Sequence, residues 1–243
     1  MMVNAQYNVA RPGSLAIRIA AHQRRKMYAA FCEEVGPQNH ETILDVGATS
    51  DQSYDHSNYL EAWYPNKSCL TAVGIDDAGF LQSKYPGVRF VRGNGHDLPF
   101  ADGAFDSVHS SAVLEHVGGS ERQVQFLREL WRVARRSIFV TTPNRWFPVE
   151  FHTVLPLLHW LPPRLYRKIL TRLGKGFFAD EGNLNLLSRR TLAWAAEAAR
   201  IDQVEIRTVS LLSLPTHLLL IGRKPYPAPA SLISSHYGQR NGA

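Results

Sequence analysis

The sequence predicts an α/β fold in which a doubly wound, mostly parallel seven-stranded sheet carries helices on both faces. From Glu41 onward, short apolar runs alternate with segments of helical periodicity, which is typical of parallel strands joined by crossover helices. The first of these runs ends in a glycine turn at Gly47, and the second ends in a carboxylate at Asp76. Two strand ends of this kind form the usual pocket for a nucleoside cofactor.

Length and composition fit one large domain with room for a core and a cleft. The chain has 243 residues, of which 44% are hydrophobic and 20% are charged, as in ordinary globular proteins. No apolar run is long enough to span a bilayer, and no signal peptide is visible. Cys32 and Cys69 have no paired spacing, so we expect reduced thiols and a cytoplasmic protein. The net charge of +6 favours anionic partners without specifying their kind.

The first predicted element is a helix that is capped by Ser14 and ends before Gly36-Pro37. Its basic residues Arg24, Arg25 and Lys26 are expected on the solvated face, with nucleic-acid contact as the lesser alternative. Strands are then expected at 42–47, 70–76, 88–92, 105–110, 137–142, 203–209 and 216–222.

Two later helices carry cap signals, and one insertion interrupts the pattern. Ser120 with Gln123 predicts a capping box for the helix before the fifth strand, and Ser188 predicts the cap of a later helix. Within a single domain over 14–224, we expect a lid at about 146–187. Residues 1–13 are expected to be flexible and 225–243 disordered.

Several motifs follow one another in a fixed order along this pattern. They are Asp45-Val46-Gly47, Gly74-Ile75-Asp76, Gly93-Asn94-Gly95, Leu98-Pro99-Phe100, Phe105-Asp106 and Leu114-Glu115-His116-Val117. In this order they resemble the class I S-adenosylmethionine-dependent methyltransferases, specifically the branch with the LPF…FD…LEHV signature. The resemblance covers roughly residues 41 to 145, and it implies the Rossmann-like methyltransferase fold with an inserted lid after the fifth strand.

The glycine turn itself favours a sulfonium cofactor over a dinucleotide. A dinucleotide fold uses three glycines to approach a pyrophosphate, and here only Gly47 is present, beside the acids Asp45 and Asp51. The resemblance implies S-adenosylmethionine as the cofactor. The positions that match its binding residues are Asp45, Gly47, Ala48, Asp76, Asn94, Gly95 and Ser110. Alternatives remain open: Asp45 could cap a turn, Asp77 could replace Asp76 at the ribose, and Asn94-Gly95 could be a plain turn.

A hydroxyl acceptor needs a base, and His116 is the best candidate. It follows the fourth strand at the carboxyl edge of the sheet, where ligands bind in such folds. The alternative is that the Glu115-His116 pair only braces the loop, and Glu115 is expected to be structural. His109 is expected to be a satisfied core or edge histidine rather than a catalyst.

The expected lid is rich in aromatic residues and histidines, which suit a wall for the acceptor. A metal site from Glu150, His152 and His159 is conceivable, but spacing alone does not support it, so we expect no metal. A basic amphipathic helix follows at Pro163–Lys175. Its apolar side is expected to contain Leu165, Ile169 and Leu173, opposed by Arg164, Arg167, Lys168 and Arg172. Such a helix can lie on an anionic membrane surface, face a phosphorylated acceptor, or simply pack on the domain.

We therefore expect a methyltransferase that acts, by O-methylation, on a small-molecule, glycan or lipid-precursor acceptor. One alternative is a fold that binds S-adenosylmethionine, or only a partner protein, without catalysis. A nucleic-acid methyltransferase is disfavoured because His109-Ser110-Ser111 replaces the Pro-rich loop that grips a flipped base. A nicotinamide oxidoreductase is disfavoured by the missing glycines. The sequence does not indicate an oligomeric state.

Overall fold

The computed structural model describes residues 14–54 and 56–225, which form one seven-stranded sheet with helices on both faces. The strands, numbered β1 to β7, are Ile43–Val46, Leu70–Gly74, Arg89–Arg92, Phe105–Ser111, Ala134–Pro143, Glu205–Leu211 and Leu214–Arg223. The helices, numbered α1 to α7, are Leu15–Glu34, Tyr59–Trp63, Phe80–Lys84, Ser120–Val133, Pro163–Arg172, Gly176–Ala179 and Arg189–Ala198. All seven predicted strands are present. The segments predicted as a flexible N-terminus and a disordered tail lie outside the described residues, Pro225 excepted.

The strand order places a crevice at the middle of the sheet. The order is β3-β2-β1-β4-β5-β7-β6, and β7 runs antiparallel to both of its neighbours while the other adjacent pairs are parallel. The connections leave β1 in one direction and β4 in the other, so the order reverses between these two strands. In open α/β sheets, ligands bind outside the carboxyl ends of the strands at this reversal.

Two apolar cores lie on opposite faces of the sheet. Successive residues of β5 show the alternation, since Ile138 packs into the core with α4 and α7, and Phe139 packs into the core with α1, α2 and α3. Both side chains are fully buried. Because both faces are covered, the central strands are buried along their whole length, and polar side chains reach solvent only at the strand ends.

Helix α1 packs across the sheet and brings a cation to the crevice. The Ser14 side chain accepts a hydrogen bond from the Ile17 amide, which confirms the predicted cap. Arg25 and Lys26 are exposed, as predicted, but Arg24 is half-buried and lines a cavity, so its assignment to the solvated face was wrong. Arg24 lies three residues before Met27, which is 3% exposed, and residues at this spacing share a helix face.

Helix α4 begins without the predicted capping box. Its N-cap residue is Gly119, and the Ser120 side chain does not cap it. The Gln123 amide instead donates to the carbonyl oxygens of Leu114 and Asn185, at 3.2 and 2.9 Å. Gln123 therefore ties the loop after β4 to the segment before α7, a tertiary role that outweighs the local one. The Ser188 cap of α7 is confirmed, and it forms a capping box with Thr191.

The segment between β5 and α7 has a small core of its own. Tyr166, Leu170, Phe178 and Leu184 form its buried centre. The buried face of α5 is thus Tyr166 and Leu170, and the predicted face was wrong, since Leu165 is 45% exposed and Leu173 is 53% exposed. The aromatic ring of Tyr166 offers more surface to bury than its neighbour, which shifts the buried stripe by one residue.

Among residues 14–54 and 56–225, no helix combines the length and apolar character needed to cross a membrane.

Candidate active site

A cavity of about 560 Å³ opens at the carboxyl ends of β1, β2 and β4, at the reversal of strand order. This volume is within the range of small-molecule sites. Four groups of residues line it: the loop after β1, the ends of β2 and β3, the loop after β4, and parts of α1 and of the segment between β5 and α7. The predicted residues Gly47, Ala48, Asn94, Gly95 and His116 all lie on its wall.

The turn at Gly47 allows no side chain. Its φ is +116°, and a Cβ added there would lie 2.1 Å from Cγ2 of Val113. The amides of Gly47 and Ala48 both donate to the carbonyl oxygen of Val73, at 2.8 and 2.9 Å, so the turn is fixed to β2. Gly47 is therefore required at the point where the backbone borders the cavity, because glycine tolerates the positive φ and has no Cβ to collide with Val113.

Asn58 braces the glycine-poor loop that follows. The Thr49 amide donates to Asn58 Oδ1 at 2.9 Å, and the Asn58 amide donates back to the Thr49 carbonyl oxygen at 3.0 Å. Asp51 accepts from the Ser53 amide at 2.8 Å and is buried. Side-chain hydrogen bonds thus replace the turns that further glycines form in a dinucleotide loop.

Asn94 and Gly95 form another part of the cavity wall, at the end of β3. Asn94 Oδ1 accepts from the His96 amide at 3.0 Å, so the side-chain NH₂ group of this cavity-lining residue is not used in that contact. A Cβ on Gly95 would lie 2.3 Å from the ring of Phe126. The close packing of Gly95 on Phe126 holds this turn against α4.

Two predicted cofactor residues face into the protein instead of the cavity. Asp45 Oδ1 accepts a hydrogen bond from Nδ1 of His109 at 2.5 Å, and burial raises the pKa of the neighbouring Glu61 carboxyl well above its usual value. Burial also raises the pKa of Asp45, to about 7. Ser110 Oγ donates to the Val46 carbonyl oxygen at 2.7 Å, and its neighbour Ser111 lines the cavity in its place. Both side chains therefore brace β1 against β4.

Asp76 lies just outside the main cavity, in a shallow depression that also contains Ser50, whose hydroxyl lies 3.4 Å from Asp76 Oδ2. Asp77 is exposed and accepts from the Gly79 amide at 2.8 Å, so its carboxylate already serves a turn. Of the two acids, Asp76 is the nearer in sequence to Gly74 and Ile75, which border the cavity.

Arg24 reaches the cavity from α1. Its guanidinium forms no hydrogen bond or ion pair with any residue of 14–54 and 56–225, and burial lowers its pKa. A half-buried cation without an acidic partner is costly unless an anion binds beside it. Its place on the wall makes it a candidate partner for a ligand carboxylate or phosphate.

Two histidines meet on the opposite wall. His116, in the loop after β4, and His152, from the segment after β5, have their Nε2 atoms 3.0 Å apart. His116 Nδ1–H donates to the Asn183 carbonyl oxygen at 2.7 Å. His152 Nδ1–H donates to Glu150 Oε1 at 2.7 Å. Both rings line the cavity, so this segment does reach the carboxyl edge of the sheet.

The electrostatics of this pair divide the charge unevenly. Burial, together with the charge on His152, lowers the pKa of His116 to about 3. Burial also opposes charge on His152 and Glu150, but their mutual attraction and hydrogen bond outweigh it. The pKa of His152 is therefore raised, and that of Glu150 is lowered to about 2. His152 and Glu150 thus form an ion pair that presents an N–H to neutral His116.

Glu115 completes this cluster. It is fully buried, and burial raises the pKa of its carboxyl to about 7. Its Oε2 accepts from the Thr142 hydroxyl at 2.9 Å, while its Oε1 lies 3.7 Å from His116 Nε2. His159 is not part of the cluster, because its Nε2 faces the Phe147 carbonyl oxygen at 2.8 Å. The hypothetical set of Glu150, His152 and His159 is therefore not assembled.

Sequence reasoning missed two residues of the cavity wall, Arg24 and Ser111, and one contact across it. Arg24 was hidden by two basic neighbours, and no local spacing indicates which of three consecutive cations turns inward. Ser111 was missed because β4 extends one residue beyond its predicted end. The pairing of His152 with His116 joins segments 36 residues apart, and only the aromatic and histidine content of the insertion pointed to it.

Comparison with known proteins agrees with this site. Residues 44–140 match the family described as "Methyltransferase domain". Demethylmenaquinone methyltransferase of Roseiflexus sp. is 28% identical over 72% of this chain and 73% of its own length. A probable S-adenosylmethionine-dependent methyltransferase of Mycobacterium tuberculosis is 39% identical over 31% of this chain and 28% of its own.

Among solved structures, the Burkholderia thailandensis 1,6-didemethyltoxoflavin-N1-methyltransferase with bound S-adenosylhomocysteine superposes with a TM-score of 0.55. The two sequences are 16% identical, and the superposition covers 89% of this chain and 92% of the Burkholderia chain. At this identity the likeness concerns the fold. The matched residues, the sheet order and the cavity at the strand reversal together identify residues 44–140 as a methyltransferase domain of the class I S-adenosylmethionine-dependent type.

Proposed function

We propose that the enzyme transfers the methyl group to a hydroxyl oxygen of a small-molecule, glycan or lipid-precursor acceptor. The observation that carries this proposal is one cavity, whose wall runs from Gly47 and Asn94 to the histidines His116 and His152. Methyl transfer from a sulfonium is a direct displacement, so a cavity that holds both reactants in line supplies much of the rate enhancement.

For the cofactor, we propose a placement along the strand ends. The adenine would lie beside Asn94 and Gly95, and the ribose hydroxyls would donate to Asp76 at the rim. The methionine portion would pass Gly47 and Ala48, where its carboxylate would meet the unpaired Arg24. Asp45 and Ser110 have no direct role in this placement, because His109 and the Val46 carbonyl oxygen already engage their side chains.

For the acceptor, we propose that its hydroxyl displaces the His152 N–H from Nε2 of His116 and passes its proton to that atom. The Nε2 atom of His116 faces the cavity beside His152, and the ion pair of His152 with Glu150 fixes the orientation of both rings. A positioned base of this kind contributes about 10²- to 10⁴-fold to rate. The Asn183 carbonyl oxygen fixes the tautomer, because it can only accept from Nδ1.

A small acceptor is supported by the names of two relatives. The Roseiflexus relative is a demethylmenaquinone methyltransferase, and the Burkholderia structure holds 1,6-didemethyltoxoflavin. In this chain the acceptor would be bounded by Phe151, His152 and Gly182, which belong to the insertion after β5. We therefore propose that the insertion sets acceptor choice.

The test follows a labelled methyl group. Purified enzyme is incubated with methyl-labelled S-adenosylmethionine and, separately, with the small-molecule, lipid, protein and nucleic-acid fractions of one cell lysate. The label is expected in the small-molecule or lipid fraction, and mass spectrometry of the product should show an added methyl group on a former hydroxyl. Label confined to nucleic acid or protein, or a product methylated on nitrogen or carbon, would contradict the proposal.

An amphiphilic acceptor receives support from the surface of the insertion. Six large apolar side chains are exposed there, namely Trp146, Val154, Leu157, Trp160, Leu165 and Leu173. On α5, Arg164, Lys168 and Arg172 are exposed as well. Exposed aromatic and basic side chains together suit weak contact with an anionic lipid surface. We propose this contact as a secondary property of the enzyme.

A further inference from the structure

The two histidines on the cavity wall present an unusual arrangement of lone pairs. His116 Nδ1 faces a carbonyl oxygen, which can only accept, and His152 Nδ1 faces a carboxylate oxygen. Both Nδ1 atoms must therefore carry hydrogen, and in neutral rings both Nε2 atoms would present lone pairs. These atoms lie 3.0 Å apart, so a cation or a proton has to lie between them.

A third donor atom points at the same place. Glu115 is fully buried, and its Oε1 has no hydrogen-bond partner among the described residues. This oxygen lies 3.7 Å from His116 Nε2, and the three donor atoms of Glu115, His116 and His152 all lie within 4.8 Å of one another. A buried carboxylate oxygen without a hydrogen bond is costly, and a metal ion is one of the groups that offset this cost.

We propose that Glu115, His116 and His152 bind one divalent transition-metal ion. Ligand atoms about 2.0–2.2 Å from a common metal, at tetrahedral or octahedral angles, are separated by about 3.0–3.5 Å. The observed separation of 3.0 Å between the histidine nitrogens fits this range, and the separation of 3.7 Å to Glu115 exceeds it slightly. A small rotation of the Glu115 carboxyl group would complete the set.

The surroundings of each ligand are those of a metal site. Histidines that bind metals usually donate their other nitrogen to a carboxylate or a backbone carbonyl, which fixes the tautomer. Here His152 donates to Glu150, and His116 donates to the Asn183 carbonyl oxygen. The Thr142 hydroxyl donates to the other oxygen of Glu115. In all three ligands, a hydrogen bond on the side away from the metal therefore fixes the orientation of the side chain.

Two imidazole nitrogens and one carboxylate oxygen favour zinc or ferrous iron over magnesium or calcium, which prefer oxygen ligands. Three protein ligands leave at least one position open, and both histidines border the cavity. An acceptor oxygen bound there would lose its proton more readily, and the proton would pass to solvent water in the open cavity. The role of His116 would then change from taking the proton to holding the ion. The prediction of no metal from sequence would be wrong.

The test is a titration of metal-depleted protein with Co²⁺, a spectroscopic substitute for zinc, followed by competition with Zn²⁺. We expect one Co²⁺ per chain, visible absorption bands typical of a nitrogen and oxygen site, and displacement by Zn²⁺. His152→Asn and Glu115→Gln should each weaken binding at least 100-fold, and Glu150→Gln should weaken it about 10- to 100-fold. His40→Asn, which changes an exposed histidine, is the matched control and should bind as the wild type does.

Circular dichroism on each variant establishes that it is folded, and His152→Asn serves if the buried Glu115 variant is not. Binding of Co²⁺ by the wild type only at millimolar concentration, or equal binding by the His152→Asn variant, would overturn the proposal. The inference rests on the proposed function only for the catalytic consequence of the metal. The titration needs neither cofactor nor acceptor, so failure of O-methylation and failure of metal binding are distinguished.

Discussion

The two halves of the cavity are built in different ways. The half formed by the strand ends consists largely of main chain, and its shape depends on close contacts such as those of Gly47 with Val113 and Gly95 with Phe126. The half that faces the insertion consists largely of titratable side chains, and its central contact joins His116 to His152. The first half suits a constant ligand, and the second suits a particular acceptor and its proton.

This difference predicts that damage to each half has a distinct signature. Substitutions on the histidine side should reduce turnover while leaving cofactor affinity nearly unchanged. Substitutions on the strand side should reduce cofactor affinity or the stability of the fold.

The largest expected effect comes from the histidine side. His116→Asn should lower kcat about 10²- to 10⁴-fold, because the acceptor would lose either its base or a ligand of the activating ion. The affinity for S-adenosylhomocysteine, measured by calorimetry, should change by less than about threefold, which is far smaller than the expected loss of kcat. His40→Asn, at an exposed position, should leave both quantities unchanged. A variant with full turnover would mean that His116 only braces the loop.

On the strand side, Gly47→Ala should cost about 2–5 kcal/mol of unfolding free energy. This sum combines the strain of a side chain at positive φ with overpacking against Val113. Urea denaturation measures the stability, and calorimetry measures the lost cofactor affinity. Gly176→Ala is the matched control, since a Cβ there would meet no atom within 4 Å. Equal stability of the two variants would show that the turn tolerates a side chain.

Arg24→Ala should weaken S-adenosylhomocysteine binding by about 1.5–3 kcal/mol, the range for a hydrogen bond to a charged group. Arg24→Lys should recover part of the loss, because the charge is kept but the forked geometry is not. Arg25→Ala changes an exposed neighbour and should have no effect. If Arg24→Ala leaves the cofactor affinity intact but raises the KM for the acceptor, the cation serves an anionic acceptor instead.

Asp76→Ala should weaken the cofactor by about 1–3 kcal/mol, since the ribose hydroxyls would lose their acceptor. Calorimetry with S-adenosylhomocysteine measures the change. The same substitution at Asp77, whose carboxylate accepts from the Gly79 amide, should have a smaller effect. The opposite ranking would assign the ribose to Asp77.

The smallest effect concerns the membrane. Each cation close to an anionic surface contributes up to about 1 kcal/mol, and salt screens this attraction. The enzyme should therefore sediment weakly with anionic vesicles at low salt and not at high salt. The double variant Arg164→Glu, Lys168→Glu should abolish sedimentation; Arg167 is less suitable because it pairs with Glu181 at 3.2 Å. A wild type that stays in the supernatant at low salt would show that α5 only packs on the domain.

Much of the strand side could be predicted from the sequence, because its signals are local. Apolar runs marked all seven strands, and the Ser14 and Ser188 caps are contained within four residues of chain. The same local rule was wrong at Ser120, where the Gln123 side chain serves two distant carbonyl oxygens.

The histidine side could be predicted only in part. His116 followed from its place after a strand, but its partner depends on how the insertion folds back, which no spacing encodes. The prediction of the buried face of α5 was wrong for a related reason, since the small core around Tyr166 is assembled from several separate pieces of the insertion. Local sequence patterns do not predict the role of a residue that depends on a partner distant in the sequence.

The most direct test of the division of the cavity is a crystal structure with S-adenosylhomocysteine bound. We predict that the adenine lies beside Asn94 and Gly95, that Arg24 contacts the carboxylate, and that the sulfur faces the space bordered by His116 and His152. An adenine placed against the two histidines, or a sulfur directed away from them, would contradict this account.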